Sequence, residues 1–253
     1  MDLGLAGRRA LVLGSSTGFG QACAEGLAGE GAVVAVHGRD PERVAQVAEK
    51  VGGHGIVHDL GDDPARVVDL AADALGGLDI CIVNTGGGRP GPILEGDDAD
   101  DAASYASMLR PALAVARRAA PLLAEGGDGR LLFLTARSIL EATPDLARSS
   151  VFRSGVAAAA RSMALELAPD VLVNVVVPGQ FPSGAYQRFV ASRARREGLD
   201  EDRIRAEDEA YIPLGRLGRL EELGDVVTFL ASARASFVTG SVVRVDGGAV
   251  RGF

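Results

Sequence analysis

Hydrophobic positions along the chain follow two alternating rhythms. A continuous apolar run at residues 10–13 and mainly apolar segments at 32–37, 79–84, 130–135 and 171–177 read as strands of a parallel sheet buried on both faces. Shorter runs at 55–58 and 241–245 bring the strand candidates to seven. Between them, apolar residues recur every three to four positions, the spacing of helices with one buried face. These segments are 19–27, a helix opened by Asp40 and Pro41, 63–75, 102–124, 150–168 and 220–231. Asp62 or Asp63 would cap the third of these, with Pro64 in its first turn. Residues 183–212 are charged and helical in pattern. Strands and helices alternating in this way call for an α/β doubly wound parallel sheet covered on both faces. No Pro/Gly/Ser linker and no internal repeat divides the chain, so residues 1–253 read as a single domain.

Sheets of this kind bind ligands beyond the carboxyl ends of their strands, where the winding direction reverses. Gly14, Asn84, Ala136 and Pro178 all fall at such ends and so belong to one cleft. The first end carries Gly14-Ser-Ser-Thr-Gly-Phe-Gly20. Gly14, Gly18 and Gly20 permit a tight turn, Ser15, Ser16 and Thr17 can add hydroxyl donors, and Phe19 opens the helix. Backbone N–H groups and the positive end of the helix dipole there suit a phosphate. Strand-to-helix turns favour glycine and serine in any case, so the loop alone leaves both readings open. The second strand ends in His37-Gly38-Arg39. An NAD site places a carboxylate at that edge to bond the ribose 2′-hydroxyl, whereas Arg39 offers a cation to a 2′-phosphate. NADP(H) is therefore favoured over NAD(H), although a solvated arginine at a helix start accounts for the same residue.

Composition narrows the classes. An apolar content of 47% excludes a disordered chain, and a net charge of −8 argues against non-specific nucleic-acid binding. No apolar run approaches the roughly 20 residues of a membrane span. The first nine residues read as too short and too quickly charged for a signal peptide. Cys23 and Cys81 have no metal-ligand spacing, so no metal is expected and the thiols read as reduced core residues of a cytoplasmic protein. His37, His54 and His58 read as structural.

Together these motifs resemble the short-chain dehydrogenase/reductase family over nearly the whole chain. The spacing G-x-x-x-G-x-G at 14–20 is similar to that family's cofactor loop. Asp59, followed by Leu60, resembles the acidic residue near the adenine. Asn84-Thr-Gly-Gly87 resembles its Asn-Asn-Ala-Gly element, which brings Asn84 and Gly86 to the cofactor. Pro178-Gly179 resembles the turn that shapes the nicotinamide pocket, and Ser183 falls where a Thr contacts the carboxamide. Residues 212–218 and 238–248 are similar to the C-terminal signature of the 3-oxoacyl-ACP reductase branch. The resemblance implies a Rossmann-type sheet in the order 3-2-1-4-5-6-7, an NAD(P)-dependent oxidoreductase with a small-molecule substrate, and a lid at about 183–212. It also implies a homotetramer, or failing that a dimer, paired through helices 102–124 and 150–168 with the last strand as a second interface.

The resemblance breaks at the chemistry. The family uses a Tyr as proton donor or acceptor, a Lys four residues later, a Ser thirteen residues before the Tyr, and an upstream Asn. Gapless alignment on Gly129-Arg130 and on residues 164–168 sets Arg153 at the Lys position, Ser149 at the Tyr position and Ala136 at the Ser position. Met108 falls at the Asn position. An alcohol is far less acidic than a phenol, and a guanidinium does not share its proton. The stretch 144–153 is similar to a divergent branch with Ser-Asn-x-x-Arg in place of Tyr-x-x-x-Lys, which also carries an Asn-Thr-Gly-Gly loop but keeps a Ser where this chain has Ala136. Candidate replacements are Ser149 and Arg153 themselves, Ser138 by a small loop shift, and Tyr186 in the lid; Tyr105 and Tyr211 lie farther out. Three readings follow. The first is an NADP-dependent oxidoreductase with a non-standard active site, for which hydride addition to a conjugated alkene can take its proton from water. The second is a non-catalytic NADP-binding sensor or partner subunit, and the third a lyase or isomerase on the same scaffold.

Overall fold

The computed structural model describes residues 1–143 and 146–252. Pro144 and Asp145, at the start of the 144–153 stretch, lie outside the described residues. The apolar runs become β1 (Arg9–Val12), β2 (Val33–Gly38), β3 (His54–Val57), β4 (Ile80–Val83), β5 (Gly129–Leu134), β6 (Val171–Pro178) and β7 (Val242–Val245). They form one parallel sheet in the order β3-β2-β1-β4-β5-β6-β7, as the resemblance implies.

Alternate side chains of the central strands feed two separate cores, which is why the runs are mainly apolar. Leu11, Cys81, Leu131 and Phe133 join one core. It is closed by α3 (Arg66–Leu75), α5 (Arg110–Ala124) and α6 (Ala147–Glu166). Ala10, Val12, Ile80 and Leu132 join the other, beneath α1 (Gly18–Gly29), α2 (Pro41–Val51) and α9 (Leu220–Ala231). Cys23 and Cys81 are fully buried, and burial pushes both thiols up to about 12, so they stay protonated. No helix among the described residues is long and apolar enough to cross a membrane.

Two elements differ from the pattern reading. The third helix begins at Arg66 instead of residue 63, because Pro64 sits in a turn in which Asp63 accepts the Ala65 N–H at 3.1 Å. The long helix starts earlier than residue 102 and is not continuous. It opens as α4 (Asp98–Ser104), widens into a π turn over Tyr105–Leu109, and resumes as α5. Pro111 explains the widening: it has no N–H to give and would crowd the carbonyl four residues back. Arg110 instead bonds the Tyr105 carbonyl, five residues back. Residues 183–212 are helical, as their pattern suggests, and form α7 (Gly184–Glu197) and α8 (Glu201–Tyr211). Gly198, at φ +65, ends α7, and Tyr186, Val190, Ala194 and Ile204 give the pair its own small core.

Helix α1 is held in place by α9 through two glycines. A Cβ at Gly26 would lie 2.5 Å from Thr228 Oγ1, and one at Gly224 would lie 2.6 Å from the Ala22 carbonyl. Gly224→Ala should therefore overpack the contact and cost about 1–3 kcal/mol of stability. Urea unfolding checks this, and an unchanged midpoint would contradict the packing.

Candidate active site

Successive strands leave β1 toward β2 and β3 on one side, and β4 through β7 lie on the other, so the winding reverses between β1 and β4. Gly14 stands at that point with φ +59. A Cβ on it would come within 3.0 Å of Asn84 Nδ2, which lies 3.5 Å from the Gly14 carbonyl across the reversal. A Cβ on Gly20 would fall 2.3 Å from the same carbonyl, so the helix can start on the strand end only with glycine there. A Cβ on Gly18, also at φ +59, would have its nearest neighbour at 4.0 Å, the Ser183 Cβ. Thr17 is exposed, and its side chain makes no capping bond among the described residues, so the first-turn N–H groups of α1 have no side-chain cap. An open helix start over a glycine cradle fits a pyrophosphate.

One expectation in this loop is corrected. Ser15 is fully buried; its hydroxyl donates to the Val12 carbonyl at 2.6 Å and accepts the His37 N–H at 2.8 Å. That hydroxyl is a pin between β1 and β2 and is not free for a phosphate. Ser16 is half-buried beside Gly38, and Phe19 meets Phe181 edge-on, with ring centroids 5.3 Å apart.

His37 ties the loop to the segment after β3. Its Nδ1 accepts the Gly14 N–H at 3.1 Å, which leaves Nε2 to donate to the His58 carbonyl at 3.1 Å. Burial pushes the imidazole down to about 4, so it is neutral at pH 7. Beyond His58, Asp59 accepts the Gly61 N–H at 2.8 Å, and Leu60 packs half-buried on the core. Arg39 and Asp59 are both exposed, with Nη1 and Oδ2 3.9 Å apart.

The reaction end lies beyond β4, β5 and β6. Arg153 donates to the Leu134 carbonyl at 3.2 Å and to the Gly86 carbonyl at 3.0 Å. Burial lowers its pKa from the usual arginine value. Ser138 donates to Ser149 Oγ at 3.4 Å. Ala136 is extended, and Met108 is fully buried, with its carbonyl accepting the Thr85 hydroxyl at 3.2 Å. Gly179 donates to the Val245 carbonyl at 2.9 Å, fixing the Pro178-Gly179 turn against β7. Ser183 caps α7 by accepting the Tyr186 N–H at 3.2 Å.

Tyr186 is placed differently from a replacement acid. Its hydroxyl donates to Asp208 Oδ2 at 2.9 Å inside the α7–α8 pair, and burial together with that carboxylate raises its pKa. Tyr211 ends α8 with the guanidiniums of Arg137 and Arg251 over its ring, at 5.5 and 5.6 Å. Tyr105 is exposed on the π turn. The sequence reading passed over Arg137, Arg148 and Gln180. Arg137 directly follows Ala136 and pairs with Glu141 at 3.3 Å. Arg148, almost fully buried, reaches Asp101 at 3.0 Å and Asp100 at 3.7 Å and so fastens α4 to α6. Gln180 directly follows the Pro-Gly turn, and that adjacency was the available signal. Among the described residues no group of three or more His, Cys, Asp or Glu could hold a metal ion.

A glycine turn at the reversal of a seven-stranded parallel sheet, with an open helix start above it, defines a Rossmann-type dinucleotide-binding domain. Residues 14–250 match the family described as Enoyl-(Acyl carrier protein) reductase. The chain is 30% identical to the 3-oxoacyl-[acyl-carrier-protein] reductase FabG of Aquifex aeolicus, covering 98% of this chain and 99% of that one. It is also 30% identical to a glucose 1-dehydrogenase of Gluconobacter oxydans, over 96% and 92% of the two chains. The structure of L-sorbose reductase from Gluconobacter frateurii, complexed with NADPH and L-sorbose, superposes with a TM-score of 0.91 at 26% identity, covering 100% of both chains. The chain belongs to the short-chain dehydrogenase/reductase family.

His37 generates a pH prediction. Its pKa is near 6.5 in the unfolded chain and about 4 in the fold, so unfolding takes up a proton between those values. Its contribution is intact above pH 6.5 and is lost as pH falls toward 4. His37→Asn should flatten the fall in unfolding free energy by up to about 1.4 kcal/mol per pH unit in that window. Urea unfolding at several pH values measures it, and identical slopes in both proteins would exclude the assignment.

Proposed function

We propose that this protein is an NADPH-dependent reductase of the short-chain type with a non-standard active site, acting on an alkene conjugated to a carbonyl. The observation that carries the reading is the Ser138–Ser149 hydroxyl pair, 3.4 Å apart, with Ser149 four residues before Arg153 on α6 and Tyr186 committed to Asp208. The cofactor would lie along Gly14, Ser16, Thr17, Gly18, Phe19 and Gly20, with Arg39 toward the 2′-phosphate and Asp59 and Leu60 toward the adenine. Asn84, Gly86, Arg153, Pro178, Gly179 and Ser183 would frame the nicotinamide half. When bound, NADPH supplies a hydride.

Arg153 holds the carbonyls of Leu134 and Gly86 with two of its five donors and keeps others for ribose hydroxyls. Ser138 and Ser149 orient the substrate carbonyl and hydrogen-bond the negative charge that develops on its oxygen. Neither alcohol gives up a proton readily at neutral pH. Hydride at the β-carbon of a conjugated alkene yields an enolate, whose α-carbon takes a proton from water. Simple ketones need the missing acid, which is worth about 10²–10⁴-fold. The relatives' differing named substrates, a sugar and an oxoacyl carrier, leave the substrate to the pocket. The same reading takes the protein as a cytoplasmic homotetramer, supported by exposed Val151 and Leu165 on α6.

NADPH should bind about 10–100-fold more tightly than NADH, the equivalent of about 1.5–3 kcal/mol for a charge-assisted contact, and Arg39→Asp should reverse the order. Calorimetric titration decides this, and equal affinities would sink it. With NADPH, a crotonyl thioester should be consumed faster than an acetoacetyl thioester, with solvent deuterium entering the α-carbon. Ser149→Ala should slow this only modestly, while Arg153→Ala should weaken NADPH binding. Brisk reduction of the ketone would overturn the proposed chemistry, and tight NADPH binding without any turnover would favour the sensor reading.

A further inference from the structure

Arg137 stands in sequence between Ala136 and Ser138, in the short turn that follows β5, yet its side chain meets the far end of the α7–α8 pair. The turn closes on itself. The Arg137 carbonyl accepts the N–H groups of Leu140 and Glu141 at 2.9 and 3.2 Å, and the guanidinium pairs with the Glu141 carboxylate at 3.3 Å. Ser138 is buried within that turn, its hydroxyl donating to Ser149.

The last turn of α8 touches both members of this ion pair. The Arg137 guanidinium lies over the Tyr211 ring, and the Tyr211 hydroxyl donates to Glu141 Oε2 at 3.4 Å. Asp208 precedes Tyr211 by three residues and so shares a face of α8 with it. Asp208 is buried, and Arg137 is among the cations that favour its charged form. The Tyr186 hydroxyl binds the same carboxylate, which brings α7 into the contact. Arg251 holds Tyr211 as well, lying over its ring and donating to its carbonyl at 3.1 Å. The α7–α8 pair has a core of its own, apart from the two that flank the sheet, so its bearing on the cleft depends on contacts such as these.

We infer that Arg137 is a positioning residue: through it the last turn of α8 holds the turn that carries Ser138, so docking of the α7–α8 pair and placement of the Ser138–Ser149 hydroxyls are one event. A planar guanidinium suits the task, because it stacks on a ring and bonds a carboxylate at the same time, which an ammonium does less well. Tyr211, Glu141 and Arg251 belong to the same device. Its effect on the reaction rests on the proposed role of the two serines; the mechanical coupling does not.

The test perturbs α8 and reads the turn after β5. Tyr211→Leu should quicken amide hydrogen exchange at Leu140 and Glu141 by about three- to tenfold, with the amides of β5 and β6 unchanged. Tyr211→Phe, which keeps the ring, should stay near the native rate, and Arg251→Ser should move the same amides in the same direction by less. Unchanged exchange at Leu140 and Glu141 in both Tyr211→Leu and Arg251→Ser would overturn the inference. With NADPH and a crotonyl thioester, Arg137→Met should lower kcat/KM without changing NADPH affinity. Added to Ser138→Ala it should cost nothing further, because Arg137 acts through Ser138, and additive losses would overturn the inference. Should the thioester not be turned over at all, the proposed function falls, and the exchange rates alone decide the coupling.

Discussion

Helix α1 starts so close to the end of β1 that a Cβ on Gly20 would lie 2.3 Å from the Gly14 carbonyl. That approach sets the geometry of the cleft. It turns Gly14 to positive φ and aims its N–H at the imidazole of His37, not at a helix carbonyl. The imidazole in turn reaches the end of β3 through His58. The glycine turn, the edge bearing Arg39 and the segment at Asp59 thus rest on one close contact and one neutral ring. The same logic repeats behind α1, where Gly26 and Gly224 bring α9 close enough to brace it.

Much of this was legible in the sequence, because the central strands are buried on both faces and their runs are therefore mainly apolar, with Asn174 of β6 an exception. The turns were legible where a residue type is forced by backbone shape, as at Gly14 and Gly18. What stayed hidden depends on direction. Nothing in Gly14-Ser-Ser-Thr17 says that Ser15 turns inward while Thr17 turns out. The Tyr186–Asp208 bond joins residues 22 positions apart on two helices that the charge pattern merged into one stretch.

The arginine at position 153 illustrates a trade between holding and giving. A planar guanidinium spans two carbonyls, at Leu134 and Gly86, and ties the ends of neighbouring strands to one rigid fork. An ammonium on a flexible stem holds less firmly but shifts its pKa more readily. In the proposed chemistry, fixed donors stabilise charge that appears on a substrate oxygen and leave proton delivery to water.

The π turn over Tyr105–Leu109 has a mechanical meaning. One extra residue in a helix rotates everything after it by about 100°. A single rod becomes two arms that are aimed independently. The upstream arm carries Asp100 and Asp101 to the buried Arg148, beside the serine pair. The downstream arm carries Arg110 to the carbonyls of Gly61 and Asp62, and Arg118 to Asp69 of α3, on the side of β3. Pro111 thus works as a swivel fixed at one setting, and the two halves of the cleft keep their alignment through a joint that a regular helix would not provide.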